Sequence, residues 1–391
     1  MAEQFNFVVK TELFFGNSRE NEVGDILRNY KFHRVVIFIG QGSVKKSGLL
    51  DRVINSLKSS DIEYMLLEGI RPNPTVDFIY NHLDEVREYK PDCLLAIGGG
   101  SVIDTAKLMA VAYYYEGDCF DFNLHKAKPK QGLPLGVILT ISASGSEMST
   151  SCVIQDDEKQ YKGGFNSEIC RPLFAIENPE LTYTVSKIQT AYGIVDILMH
   201  TIERYFGQSG EIELADGIAE GLMREVIKAG EVVMEDPTNY NARKVLMVAS
   251  SLSHSDHTSV VKKFHMPLHQ LEHVISAVYP DIAHAAGLAL IWSKWAEVYL
   301  DAELDKFDKF ARNVFHSLEK DKRNNALYGI RSLQQYFEKI GMPKTFKDLG
   351  IIDPNIDLLV SLFTRGGTRS IGHPSLPLDG NVAHKIYEKC I

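Results

Sequence analysis

Four short stretches in the first 140 residues are apolar on both faces, and they limit the fold more than any other feature of the chain. They are residues 34–39 (RVVIFI), 64–67 (YMLL), 92–97 (DCLLAI) and 135–139 (LGVIL). A strand with one wet face alternates apolar and polar residues. These runs do not, so both of their faces are expected to be covered. Between them, residues 46–59, 75–89 and 101–115 repeat at helical spacing. Parallel strands need long crossover connections, and these helices supply them. The expected first half is an α/β domain built on a parallel sheet. Residues 141–176 differ: Ser, Thr, Gly and charged residues mix with short strand-like pieces such as 174–176, and Asn178-Pro179 follows. From about residue 185 the spacing is helical nearly throughout, over 187–206, 211–234, 241–254, 283–300, 303–318 and 324–340. The domains are therefore drawn as α/β over 1–180 and all-α over 181–391.

A chain of 391 residues has room for two cores. Its 45% hydrophobic and 24% charged residues are ordinary for a globular protein, and a formal charge of −9 argues against a nucleic-acid partner. Cys93, Cys119, Cys152, Cys170 and Cys390 are scattered, with no CxxC pair, as expected of free thiols in a reducing compartment. Residues 1–10 lack the basic start and long apolar run of a signal peptide. No run of about 18 apolar residues exists. The expectation is a soluble cytoplasmic protein with no membrane partner.

Gly98-Gly99-Gly100-Ser101 follows an apolar run and opens a helix. Glycines permit positive φ and a close approach of backbone N–H groups to an anion. The helix start adds donors and a favourable dipole. Asp104 stands at the capping-box distance from Ser101. Such a turn alone is equally well a tight connection, but in an alternating α/β half it points to a pyrophosphate site. The first run ends Gly40-Gln41-Gly42-Ser43-Val44-Lys45-Lys46, without the GxGxxG pattern. Where an acidic residue would hold a ribose 2′-hydroxyl, this turn offers small residues and two lysines. NADP(H) is expected over NAD(H), with Gly40, Gly42, Ser43 and Lys45 in contact with it.

Asp196 and His200 are four residues apart on an otherwise apolar helix face, where both would be costly unless paired or bound to a metal. His265, His269 and His273 repeat every four residues, Pro267 interrupts the start of that run, and His284 follows a helix-start signal at Tyr279-Pro280-Asp281. Two helices can thus each bring an imidazole to a point faced by Asp196 and His200. With no cysteine in the set, a finger-type structural zinc site is not expected. One carboxylate and three neutral imidazoles would leave a divalent ion with net positive charge, able to polarise a carbonyl. His254 and His257, in the polar stretch SLSHSDHTS, are read as non-ligands.

The segments GGGSVIDTAK (98–107), TISASGSEMS (140–149), YGIVDILMHTIE (192–203) and HQLEHVISAVYPDIAHAAGLAL (269–290) resemble the iron-containing alcohol dehydrogenase family, in particular its NADPH-dependent butanol dehydrogenase and aldehyde reductase branch. The resemblance runs through nearly the whole chain and weakens after about Pro354. It implies a dehydroquinate synthase-like fold, with a dinucleotide-binding α/β domain and an all-helical metal domain. It implies Asp196, His200, His269 and His284 as ligands of Fe2+ or Zn2+, and His273 as a catalytic histidine near substrate and nicotinamide. It further implies that Gly98, Gly99, Gly100 and Ser101 bind the pyrophosphate, with Asp104 beside them. Thr140 and Ser144 would line the nucleotide pocket, and Lys162 would reach the cofactor ribose or phosphate. Ser144 stands where threonine is common, Ser142 where proline or alanine is common, and Asn178-Pro179 where Asp-Pro is usual. The substrate would be an aldehyde or primary alcohol. An NAD-dependent polyol or glycerol-type dehydrogenase, and a dehydroquinate-synthase-like lyase, are the alternatives. The lyase would need a basic cluster for an acidic phosphate substrate, and none is evident beside residues 269–284. Residues 5–15 alternate like an edge strand (Phe5, Phe7, Val9, then Leu13, Phe14, Phe15), and such an edge tends to pair. A homodimer through this segment is expected, in keeping with the resemblance.

Overall fold

The computed structural model describes residues 7–207, 212–260, 262–373 and 376–391. The chain forms two compact units: Val8–Val185 with Thr238–Ser251, and Ser186–Pro237 with Leu252–Ile391.

The first unit is built on a six-stranded sheet of β1 (Glu12–Phe15), β2 (Arg34–Gly40), β3 (Glu63–Ile70), β4 (Cys93–Gly98), β5 (Leu135–Leu139) and, after a hairpin, β8 (Phe174–Glu177). The strand order is β1-β8-β5-β4-β2-β3, and every pairing is parallel. The apolar runs divide their side chains between two cores. Val36, Phe38, Leu94 and Ala96 pack on one face with α4 (Val76–Tyr89) and α5 (Gly100–Ala112). Val35, Ile37, Ile39, Leu95 and Ile97 pack on the other with α1 (Val23–Asn29) and α3 (Leu49–Ser59). Burial on both faces is the physical reason these strands read as unbroken apolar stretches.

The helix expected over 46–59 is two pieces, α2 (Ser43–Lys46) and α3, because Gly48 turns left-handed between them at φ +70. The mixed segment 141–176 holds an antiparallel hairpin, β6 (Ser151–Asp156) and β7 (Tyr161–Asn166), that the composition did not announce. Of the edge strand expected over residues 5–15, only Glu12–Phe15 forms a strand, β1, paired on one side with β8 at the rim of the sheet, and residues 7–11 lead into it without strand structure. Phe5, the first residue of that expected strand, lies outside the described residues.

The second unit is helical: α6 (Lys187–Tyr205), α7 (Glu213–Glu235), α9 (Pro267–Val278), α10 (His284–Tyr299), α11 (Leu304–Phe315), α12 (Lys322–Lys339), α13 (Ile356–Thr364) and α14 (Gly380–Glu388). The expected start of α7 at Glu211 is also outside the described residues. Helix α8 (Tyr240–Ser253) belongs to the first unit, where Met247 joins the sheet core. Helices α13 and α14 and the small hairpin of β9 (Ile371–His373) and β10 (Leu376–Leu378) fall where the sequence carried no reading. Among the described residues no helix is long and apolar enough to cross a membrane.

Candidate metal centre and nucleotide turn

Helix α6 starts at Ser186, whose hydroxyl accepts from the Gln189 N–H, and it runs buried from Gly193 to Tyr205. One turn separates Asp196 from His200, and both are buried. Helix α9 starts differently. Met266 sits left-handed at φ +51 with no capping side chain, and Pro267 takes the first helical position. That start places His265 before the helix, as its proline suggested, and His269 inside the first turn.

These elements bring three buried groups together. His200 Nδ1 lies 3.4 Å from Asp196 Oδ1, and His269 Nε2 lies 3.6 Å from the same oxygen. The His200 and His269 rings are 4.4 Å apart. Asp196 Oδ1, His200 Nδ1 and His269 Nε2 are all buried without a hydrogen-bond partner. Buried polar atoms are seldom left so, and three that face one another fit a shared cation. Their donor set, one carboxylate oxygen and two imidazole nitrogens, suits a divalent transition metal. His284 flanks the trio, its ring 5.2 Å from that of His269, and forms a second potential ligand group with Glu272 and His273. His273 lies 5.6 Å from His284 and 6.3 Å from His269, ring to ring.

The electrostatics separate the two inner imidazoles. Burial depresses His200 well below the usual histidine range, and the neighbouring His254 and His269 push the same way. Burial would also depress His269, but Glu203 and Asp196 overcome it and lift the ring to about 9.

Two nearby residues have no place in the sequence reading. Glu203 and Glu272, both buried, accept hydrogen bonds from His269 Nδ1 and His284 Nδ1 respectively. Their signal was present: each stands three residues after a site histidine (His200 and His269) on an apolar helix, hence on the same face. His254, read with His257 as a non-ligand, has its ring 4.3 Å from that of His200 at 30°. His257 instead bonds Ser255 and meets the edge of Phe7.

In the first unit, β3 and β4 flank β2 on opposite sides, so the strand order reverses at the carboxyl ends of β2 and β4. Open α/β sheets bind ligands at such a point. Both glycine turns lie there. Gly42 adopts φ +115 with open space where a Cβ would stand, and Ser43 opens α2. None of Gly98, Gly99 and Gly100 has positive φ, contrary to the conformational freedom expected of that turn. Their reason is packing: an added Cβ would come within 2.6 Å of Val102, 2.3 Å of Ile141 and 2.5 Å of the Ser144 hydroxyl, respectively. Ser101 follows in the first turn of α5, and the Thr140 N–H donates to Gly98 O at 3.1 Å. Gly40 ends β2 beside this turn. Asp104 is half-buried and accepts from the Ser146 hydroxyl (2.6 Å) and the Val153 N–H (2.9 Å). Lys162 donates to Asn73 at 3.1 Å. Lys45 forms an ion pair with Glu68, both side chains about half exposed.

Comparison with known proteins fits both halves. The profile of iron-containing alcohol dehydrogenases matches residues 10–179, and that of the carboxy-terminal region of Fe-containing alcohol dehydrogenases matches residues 190–368. The chain belongs to the iron-containing alcohol dehydrogenase family. As a member of that family it is an alcohol–aldehyde oxidoreductase that uses a metal and a nicotinamide cofactor. It is 36% identical to the NADH-dependent butanol dehydrogenase A of Clostridium acetobutylicum, over 98% of this chain and 99% of that one. It is 30% identical to the NADPH-dependent aldehyde reductase YqhD of Escherichia coli, over 98% of each. The crystal structure of NADH-dependent butanol dehydrogenase A from Thermotoga maritima superposes with a TM-score of 0.95 at 32% identity, covering 99% of this chain and 98% of that one.

Proposed function

We propose that this chain reduces aldehydes to primary alcohols with NADPH, and runs the reverse oxidation, using Fe2+ or Zn2+ held by Asp196, His200, His269 and His284. The observation that carries the reading is the convergence of Asp196 Oδ1, His200 Nδ1 and His269 Nε2, each buried and without a hydrogen-bond partner. A bound divalent ion supplies Lewis acidity toward a carbonyl oxygen, and a reduced nicotinamide supplies a hydride. The protein's part is to hold, orient and protonate. Asp196 would contribute the one negative charge among the four ligands, so a divalent ion held there would keep net positive charge. His273, one helical turn beyond His269, would give a proton from a ring nitrogen to the alcohol oxygen, directly or through water or a ribose hydroxyl. The turn Gly40–Ser43, the turn Gly98–Ser101, Thr140 and Ser144 take the dinucleotide.

The preference for NADPH rests on the first turn, which has no carboxylate between Gly40 and Lys46. The Lys45–Glu68 pair does not oppose it. A half-exposed ion pair is worth at most about 1 kcal/mol, so Lys45 is easily transferred to a 2′-phosphate. Relatives are named for either cofactor, so measurement decides. We expect kcat/KM with butanal to be about tenfold or more higher with NADPH than with NADH, a difference of about 1.4 kcal/mol. A preference for NADH would overturn the cofactor assignment. Efficient turnover of glycerol but not butanol would favour a polyol dehydrogenase instead.

The exposed side chains of Val9 and Leu13, just before and on the rim strand β1, support a homodimer through this segment. Light scattering after size exclusion should give twice the chain mass, and a monomer would refute the dimer. All five cysteines are buried and unpaired, which supports a reducing, cytoplasmic setting.

A further inference from the structure

We propose that Glu203 and Glu272 are positioning residues of the metal centre, each fixing which nitrogen of a ligand histidine faces the ion. The proposal rests on the ligand set given above and deepens it.

A neutral imidazole carries one N–H, and the hydrogen bond at one nitrogen decides which nitrogen keeps its lone pair. Glu203 Oε2 accepts from His269 Nδ1. The lone pair is thereby left on Nε2, the atom that lies 3.6 Å from Asp196 Oδ1. Glu272 Oε2 accepts from His284 Nδ1 in the same sense. Both carboxylates are themselves held. Glu203 Oε1 accepts from the backbone N–H of Leu268, and from that of His269 at 3.3 Å. Those are orphan donors at the start of α9, which Met266 leaves uncapped. Glu203 therefore caps α9 from another helix and clamps the imidazole that α9 carries. Glu272 Oε1 accepts from the Ser276 hydroxyl one turn on. Gly287 of α10 makes room for it, since a Cβ there would stand 2.8 Å from Glu272 Cγ. Neither carboxylate side chain is exposed at all. Burying a carboxylate is costly without such partners, and each partner found here is either a site histidine or a group that locks the carboxylate against it.

Glutamine has the shape of glutamate but not its charge, and at Glu203, whose two oxygens both face N–H groups, it puts an NH2 where only an acceptor fits. The test is Co2+ titration of metal-free wild type, Glu203→Gln, Glu272→Gln and His269→Ala, read by the visible absorption of bound Co2+. Melting of each metal-free form is measured alongside. We expect both glutamine variants to bind Co2+ about 10–100-fold more weakly, with altered absorption, while the melting temperature of metal-free Glu272→Gln stays near that of wild type. Wild-type affinity and absorption in the glutamine variants would overturn the proposal. If Glu203→Gln fails to fold, Glu272→Gln decides alone. His269→Ala tests the underlying ligand reading separately: unchanged Co2+ affinity in that variant would reject the ligands, whatever the glutamates do.

Discussion

Replacing His269 with alanine is expected to strip the bound divalent ion and to lower kcat/KM for aldehyde reduction by about a thousandfold or more. The magnitude follows from the charge involved. Lewis-acid stabilisation of a developing alkoxide is worth several kcal/mol, and each 1.36 kcal/mol is a factor of ten in rate. His269 is central because Nε2 meets Asp196 Oδ1 while Nδ1 is held by Glu203. Removing the ring also leaves Glu203 buried without its imidazole partner. The decisive measurement is elemental analysis and NADPH oxidation on the same sample. Full turnover from metal-free protein would remove the ion from the reaction. His273→Ala is the comparison: it should retain metal and lose kcat, because His273 is assigned to proton movement rather than ligation.

A second large effect is expected in the first unit. Lys107 has no exposed surface. Its ammonium donates to Ser146 Oγ (2.9 Å), Ser149 O (2.9 Å) and Ser151 O (2.7 Å). The Ser146 hydroxyl in turn donates to Asp104, so ammonium, hydroxyl and carboxylate form one chain between α5 and the segment that leads into β6. Burial lowers the Lys107 pKa, while Asp104 opposes that shift. Lys107→Met would strand three buried acceptors and leave Asp104 without its nearby cation. Leaving a buried acceptor unsatisfied costs about 1–3 kcal/mol, so losing all three bonds is expected to cost several kcal/mol. At roughly 2–4 °C per kcal/mol for a unit of this size, the melting temperature should fall by about 10 °C. A drop of under about 2 °C would show that the buried ammonium is energetically idle.

The two halves were unequally legible. The sheet could be read because its strands are apolar on both faces, a pattern that few other structures produce. Residues 135–139 were bounded to the residue. The α6 pair Asp196 and His200 stands out because they are polar residues at helical spacing on an apolar face. The hairpin β6–β7 was not legible: Gly163, Gly164 and Lys162 on β7 carry neither strand propensity nor clear alternation. The pairing comes instead from β6 across it. Asp104 and Lys107 were not separable by motif alone. They belong to a segment that looks like nucleotide chemistry, yet their side chains bond to other residues of the chain. The glutamate clamps were overlooked because glutamate is the commonest sort of helix surface residue, and only burial tells Glu203 and Glu272 from the rest. His254 lies in a polar stretch of the sequence, and its ring nonetheless stacks on that of His200.

Helix α8 sets the order in which the protein can be completed. Its Ser251 hydroxyl contacts both buried carboxylates, Glu147 at 2.8 Å and Glu177 at 2.5 Å, and its Ser250 accepts from the Ala143 N–H at 3.0 Å. A ribosome that has delivered everything through Val185 has therefore made a sheet whose last polar contacts are still unsynthesised. The nascent amino-terminal half must wait for some sixty-six further residues, most of them destined for the other unit, before its own interior is closed.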